Sequence, residues 1–140
     1  MSPLESPDCK WCCDLSGDVL RENESFIAVF DAYPVNRGHT LIISKRHVAD
    51  LFGLDEREFA DLHAILSEVK QFLDGEFRPA GYNVGANCGE AAGQTIFHFH
   101  LHVIPRYTND VPNPRGGVRN FKEPLVAYQV ARRIEADSGR

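Results

Sequence analysis

Residues 94–106, QTIFHFHLHVIPR, constrain the fold more than any other stretch. His98, His100 and His102 alternate there with Phe99, Leu101 and Val103. Strict alternation with aromatic and β-branched partners predicts a β-strand. Successive side chains on a strand point to opposite faces, so the three imidazoles share one face at ~6.5 Å spacing. Phe99, Leu101 and Val103 on the other face must pack on a core. Half of the chain's six histidines fall in this stretch. Histidine is not a favoured strand residue, so a purely structural strand has no reason to collect them. Two chemistries use such a row: metal ligation by imidazole and nucleophilic catalysis through a covalent histidine intermediate.

Composition narrows the setting. A chain of 140 residues, 43% hydrophobic and 25% charged, predicts one globular domain over 1–140. The net charge of −5 argues against a general nucleic-acid binder, so an anionic ligand needs a local device. No apolar run reaches membrane-span length. The opening MSPLESPDC has neither a basic n-region nor an apolar h-region, so a cytoplasmic protein with reduced cysteines is expected.

In chain order, residues 1–8 read as a loose leader. Cys9 and Cys12 form a CxxC followed directly by Cys13, a pattern of metal or redox chemistry in a reduced compartment. Cys13 could exchange with its neighbours as a ligand, and Cys88 reads as a packed or incidental thiol. Phe26–Asp31 and Thr40–Ile43 read as adjacent antiparallel strands, joined by a linker with Pro34, Asn36 and Gly38. Asp31 and His39 bracket that linker; composition alone makes them ordinary turn polarity. Asp55 and Glu58 form a capping box. Phe59, Leu62, Ile65, Leu66, Val69, Phe72 and Leu73 then follow at helical spacing and read as core. Gly75 and Pro79 are expected to end this helix, with His63 solvated. Gly81–Ala86 reads as a strand. The loop NCGEAAG, 87–93, then offers backbone N–H groups that can bind phosphate. Pro105 is expected to end the regular pairing. Residues 107–120 form a loop with Arg115 and Arg119, and Pro124 opens an amphipathic C-terminal helix.

The HFHLHVI stretch, with GEAAGQT before it and AYPVNRGHTLII earlier, resembles the histidine triad family in its zinc-bearing bacterial-type branch. The resemblance runs over roughly residues 9–107. It implies an α+β fold with a five-stranded antiparallel sheet, a long helix and a C-terminal helix, paired as a homodimer with one continuous sheet. It also implies a hydrolase acting on purine nucleotides, such as diadenosine polyphosphates or adenosine phosphoramidates, that releases AMP. On that resemblance His100 is the nucleophile at the α-phosphate. His102, Gln94, Thr95 and Asn87 hold phosphate oxygens, and Asp31 takes the ribose hydroxyls. His39 is a further active-site residue. Cys9, Cys12, His47 and His98 make a closed structural zinc site. Arg115 and Arg119 could reach a polyphosphate chain or be solvated loop residues.

Two alternatives belong to other classes. A zinc hydrolase would use all three triad histidines as ligands. Their positions on one straight strand span ~13 Å, which is too far for one metal at ~2.1 Å. A nucleotide-binding scaffold without turnover would keep the same residues.

Overall fold

The structure, a computed structural model, describes residues 9–13 and 17–122, with the side chain of Cys13 outside that description. The leader 1–8 and the helix expected from Pro124 also lie outside the described residues. The chain divides into two compact units, Met1–Thr108 and Asn109–Arg140.

The first unit holds a short helix α1 (Lys10–Cys13), strands β1 (Val19–Glu22), β2 (Phe26–Phe30) and β3 (Thr40–Ser44), helix α2 (Glu56–Phe77), and strands β4 (Gly81–Gly85) and β5 (His100–Arg106). The strands form one sheet in the order β1-β2-β3-β5-β4. Every pairing is antiparallel. This is the α+β, five-stranded fold that the sequence leads one to expect. The short polar edge strand β1, VLRE, escaped the sequence reading because it lacks a hydrophobic alternation.

Period-two alternation divides the sheet into two faces. Phe26, Ala28, Ile42, Leu101 and Val103 turn toward α2 and pack with Leu62, Ile65, Val69 and Leu73. Ile27, Leu41 and Ile43 turn the other way, with Val29 and Trp11 against them. β3 is therefore buried along its whole length.

α2 starts where expected. Asp55 accepts the Glu58 N–H at 2.8 Å, and Glu58 accepts the Asp55 N–H at 2.9 Å. The stripe buries Leu62, Ile65, Val69 and Leu73, whereas Phe59 is exposed. The expected stop at Gly75 is incorrect. The helix runs on to Phe77, and Arg78 takes the left-handed capping position at φ 49°. Gly75 has open space where a Cβ would stand, so it lies on the helix exterior without breaking it.

Two readings of the histidine stretch also need correction. Pro105 does not end the pairing; it lies inside β5, opposite Tyr82 of β4. Its carbonyl accepts from Asn36 Nδ2 at 3.0 Å. That side of β5 lies past the start of β3 at Thr40, so the missing N–H costs no ladder bond. The strand also starts later than expected: β5 begins only at His100, so His98 lies just outside it. The Phe99 N–H donates to Val48 O at 2.7 Å. Val48 lies beyond the end of β3, so the chain bends before the regular ladder begins.

In the second unit the described residues include a single 3-10 turn, Gly117–Arg119. Asn120 Nδ2 donates to the Arg115 carbonyl at 2.6 Å there. Arg115 and Arg119 both belong to this unit.

Candidate functional site

The sheet face turned away from α2 is the floor of a cavity of about 590 Å³. Registration puts it together: His102 pairs with Leu41 and His100 with Ile43 across β3 and β5, while Leu41 and Ile43 pair with Val29 and Ile27 of β2. Val29, Leu41 and Ile43 supply an apolar surface, and His100 and His102 stand beside it. Asp31, His39, Asn87, Gln94 and Thr95 also line this cavity. Seven residues singled out in the sequence thus converge on one space, from three separate segments.

The linker between β2 and β3 aims Asp31 and His39. The Asp31 N–H donates to His39 O at 2.9 Å, and the His39 N–H donates to Asn36 O at 3.1 Å. Gly38 has φ +84°, and a Cβ there would stand 2.9 Å from Phe77 Cδ2 and 3.1 Å from Pro105 Cγ. The turn therefore requires glycine at this point.

Backbone partners settle which ring nitrogens carry protons. His100 Nδ1 lies 2.9 Å from His98 O. A carbonyl only accepts, so Nδ1 is the donor and the lone pair of neutral His100 is on Nε2. The Val35 N–H donates to His39 Nδ1 at 3.1 Å, which puts the His39 proton on Nε2. That atom stands 2.9 Å from His102 Nδ1 and 3.4 Å from Asp31 Oδ2. With His39 donating to its Nδ1, neutral His102 carries its own proton on Nε2, as a donor. Burial holds the pKa of His39 below the ordinary histidine value, against the pull of the Asp31 carboxylate. Burial likewise lowers His102, helped by neighbouring His100 and His39 and opposed by Asp31.

Gln94 has a different place from the one expected for a phosphate contact. Its Oε1 accepts the Gly89 N–H at 2.8 Å. Its Nε2 donates to Ala49 O at 2.6 Å and Ile96 O at 3.1 Å. The amide is committed to its own loop and to the Ala49 carbonyl of the segment after β3. The N–H groups of Ala92, Gly93 and Gln94 are similarly spent on carbonyls of Gly89 and Glu90. Asn87 and Gly93 of the glycine-bearing loop line the cavity, with Thr95 following it.

Beside the cavity, Cys9, Cys12, His47 and His98 offer ligand atoms that all lie within 4.8 Å of one another. His98 is fully buried, and its Nε2 donates to Ser44 O at 2.6 Å, leaving the Nδ1 lone pair for the cluster. His98 Nδ1 is 3.3 Å from Cys9 Sγ, 3.5 Å from Cys12 Sγ and 3.1 Å from His47 Nδ1. Cys12 Sγ is 3.2 Å from His47 Nδ1. A tetrahedral zinc with ordinary bond lengths separates such ligand pairs by ~3.3–3.8 Å. The donor set, two thiols and two imidazoles, fits zinc, and its spacings of 3.1–3.5 Å lie at or slightly inside that range. His98 and His102 fall in different clusters, which removes the basis for a metal held by all three triad histidines. Sequence reasoning missed Trp11 and Lys10, which also line the cavity. The available signal was the chain's single tryptophan, enclosed by the CxxC.

Comparison with known proteins agrees with this arrangement. The model of the HIT domain family matches residues 14–109. An uncharacterized HIT-like protein of Mycoplasma genitalium is 38% identical over 111 residues, covering 76% of this chain and 79% of that protein. A protein of Mycobacterium tuberculosis named AP-4-A phosphorylase is 36% identical over 128 residues, covering 91% of this chain and 62% of that longer protein. The crystal structure of a Zn-bound histidine triad family protein from Mycobacterium smegmatis superposes with a TM-score of 0.67 at 34% identity, over 74% of this chain and 78% of that one. Fold and site define a histidine triad protein. The chain belongs to the HIT domain family, and its cysteine–histidine cluster groups it with the zinc-bearing branch.

Proposed function

We propose that this chain cleaves nucleoside 5′-phosphate derivatives at the α-phosphate through a covalent histidyl-nucleotide on His100. The observation that carries the reading is the committed tautomer of that ring, with Nδ1–H on the His98 carbonyl and the Nε2 lone pair on a side chain of the cavity wall. A neutral imidazole offers its ring lone pair to phosphorus without a separate base.

In the first step the Nε2 lone pair forms the N–P bond. The bond from phosphorus to the leaving group breaks, and the bonding pair leaves with that group. The ring becomes cationic, and its Nδ1–H bond to the His98 carbonyl strengthens as charge develops. In the second step a water oxygen attacks phosphorus, a proton is released, and the N–P pair returns to Nε2. The product is a nucleoside monophosphate. His102 donates through Nε2 to a non-bridging oxygen, with Asn87 and Thr95 as further contacts. Asp31 accepts the ribose hydroxyls, and His39 orients His102. Gln94 is a positioning residue that fixes the loop between Asn87 and Thr95. Cys9, Cys12, His47 and His98 would hold zinc, whose role is to fasten α1 to the β5 approach. The homodimer implied by the resemblance belongs to the same reading, with β4 as a sheet edge, and light scattering of the purified chain tests it.

The resemblance to an AP-4-A phosphorylase favours a second acceptor. Phosphate in place of water would attack the same intermediate and yield a nucleoside diphosphate. The test of the primary reading compares wild type with His100→Ala on diadenosine tetraphosphate and on an adenosine phosphoramidate, with and without added phosphate. Wild type releases AMP, or ADP where phosphate is the acceptor, and His100→Ala does not. Turnover by His100→Ala at the wild-type rate rejects the nucleophile. Tight nucleotide binding without turnover of either substrate rejects the enzyme.

A further inference from the structure

We propose that Trp11 couples zinc occupancy to nucleotide binding, so that each ligand tightens the other through the docking of α1. This rests on the nucleotide reading above and goes beyond it, from the reaction to its regulation.

Trp11 stands between two ligand cysteines and beside two imidazoles of different duty. Its ring packs edge-on against His98 of the metal cluster at 5.9 Å and against His100 of the cavity at 4.6 Å. It also rests on the apolar face formed by Ile27, Leu41 and Ile43. Trp11 and its neighbour Lys10 are themselves part of the cavity wall.

α1 has four residues, too few to be stable as an isolated helix. Its position is set by what its side chains hold. Cys12 of α1 and Cys9 just before it belong to the metal cluster, and Lys10 and Trp11 of α1 belong to the cavity wall. One small element is thereby biased from both sides. A bound zinc holds α1 down and completes the wall. A bound nucleotide covers that wall and favours the docked position that the zinc ligands need. Two ligands that favour the same state of one element are coupled, and the coupling factor is the same read from either ligand.

The test uses the zinc-loaded full chain and its zinc-stripped form, with AMP as the nucleotide probe. Calorimetry gives AMP affinity in both forms, and competition with a chromogenic chelator gives zinc affinity with and without saturating AMP. Zinc removal is expected to weaken AMP binding by roughly tenfold, and saturating AMP to tighten zinc by the same factor. Trp11→Ala is expected to bring this ratio close to one, while Trp11→Phe retains most of it. A tryptophan that only supplied wall area would weaken AMP equally with and without zinc and leave the ratio unchanged. A ratio of one in wild type overturns the coupling. So does a wild-type ratio in Trp11→Ala, including one produced by general unfolding, which circular dichroism of the stripped form would show. A Trp11→Phe ratio no better than that of Trp11→Ala overturns ring packing as its cause. AMP binding equally to both forms ends the coupling alone, whereas AMP failing to bind the zinc-loaded chain ends the nucleotide reading with it.

Discussion

His100 Nδ1 stands 2.9 Å from the carbonyl oxygen of His98, and the ring of that same His98 points into the cysteine–histidine cluster. One residue therefore serves two candidate sites, its backbone fixing the proposed nucleophile and its side chain joining the cysteine–histidine cluster. The account of function follows from this division.

Loss of the proposed nucleophile is the largest kinetic effect expected. His100→Ala should lower kcat/KM by at least about a thousandfold, in line with removal of a covalent catalyst. His102→Ala, which removes the proposed phosphate donor, should cost about 10²–10³. Steady-state assays on one nucleotide substrate give both values. A larger loss in His102→Ala than in His100→Ala would reverse the assigned roles.

The pH dependence of stability has a definite sign. Burial lowers the pKa of His39 and His102 in the folded chain, below an unfolded value of ~6.5. Above that value both are neutral in both states and the stability is fully present. As pH falls below ~6.5 the unfolded chain takes protons that the folded chain resists, so stability is lost until pH passes the depressed folded values. Urea midpoints at pH 7.5 and 5.5 check this, with His39→Gln expected to fall less steeply. Equal slopes in the two proteins would remove His39 as a source of the effect.

Zinc content is the third prediction. The purified chain should carry one zinc, and Cys12→Ala or His47→Ala should lose it. The variants should melt at lower temperature, because a ligand bound only by the folded state stabilises it by mass action. Their kcat should fall less than that of His100→Ala, since four protein ligands would leave a tetrahedral zinc no open position for substrate. Elemental analysis with thermal denaturation measures both. Full zinc in either variant would refute the ligand set.

Gln94→Ala should destabilise the fold by about 1–2 kcal/mol, because the buried Gln94 amide loses its hydrogen bonds to Gly89, Ala49 and Ile96. Gln94→Glu should not rescue it, since a carboxylate cannot donate to the two carbonyls. If the residue acts through the loop, KM rises along with the loss of stability. Wild-type stability with a fall in kcat alone would instead make Gln94 a direct contact.

Much of the site could be read from the chain because its chemistry is carried by residue types in short motifs. Alternation placed His100 and His102 on one face, and the register with Leu41 and Ile43 follows from hydrophobic patterning. The capping box at Asp55 and Glu58 is a local motif and was equally visible. Tertiary bonds decided the rest. His98 leaves the strand because Phe99 finds the carbonyl of Val48, a partner about fifty residues away that periodicity does not register. Pro105 stays in β5 because the turn at 34–39 removes the neighbour it would have failed. Gln94 turns inward because the Ala49 carbonyl lies in reach. Trp11 reaches the cavity through tertiary contacts with His98, His100 and the apolar sheet face.

The central claim is a bond between phosphorus and one imidazole nitrogen. It is tested most directly by mixing the chain with diadenosine tetraphosphate in a single turnover, quenching in base, and mapping the adduct by tandem mass spectrometry. The account predicts an acid-labile adenylyl group on His100. An adenylyl group on any other residue, or free AMP released with no adduct preceding it, would contradict the account.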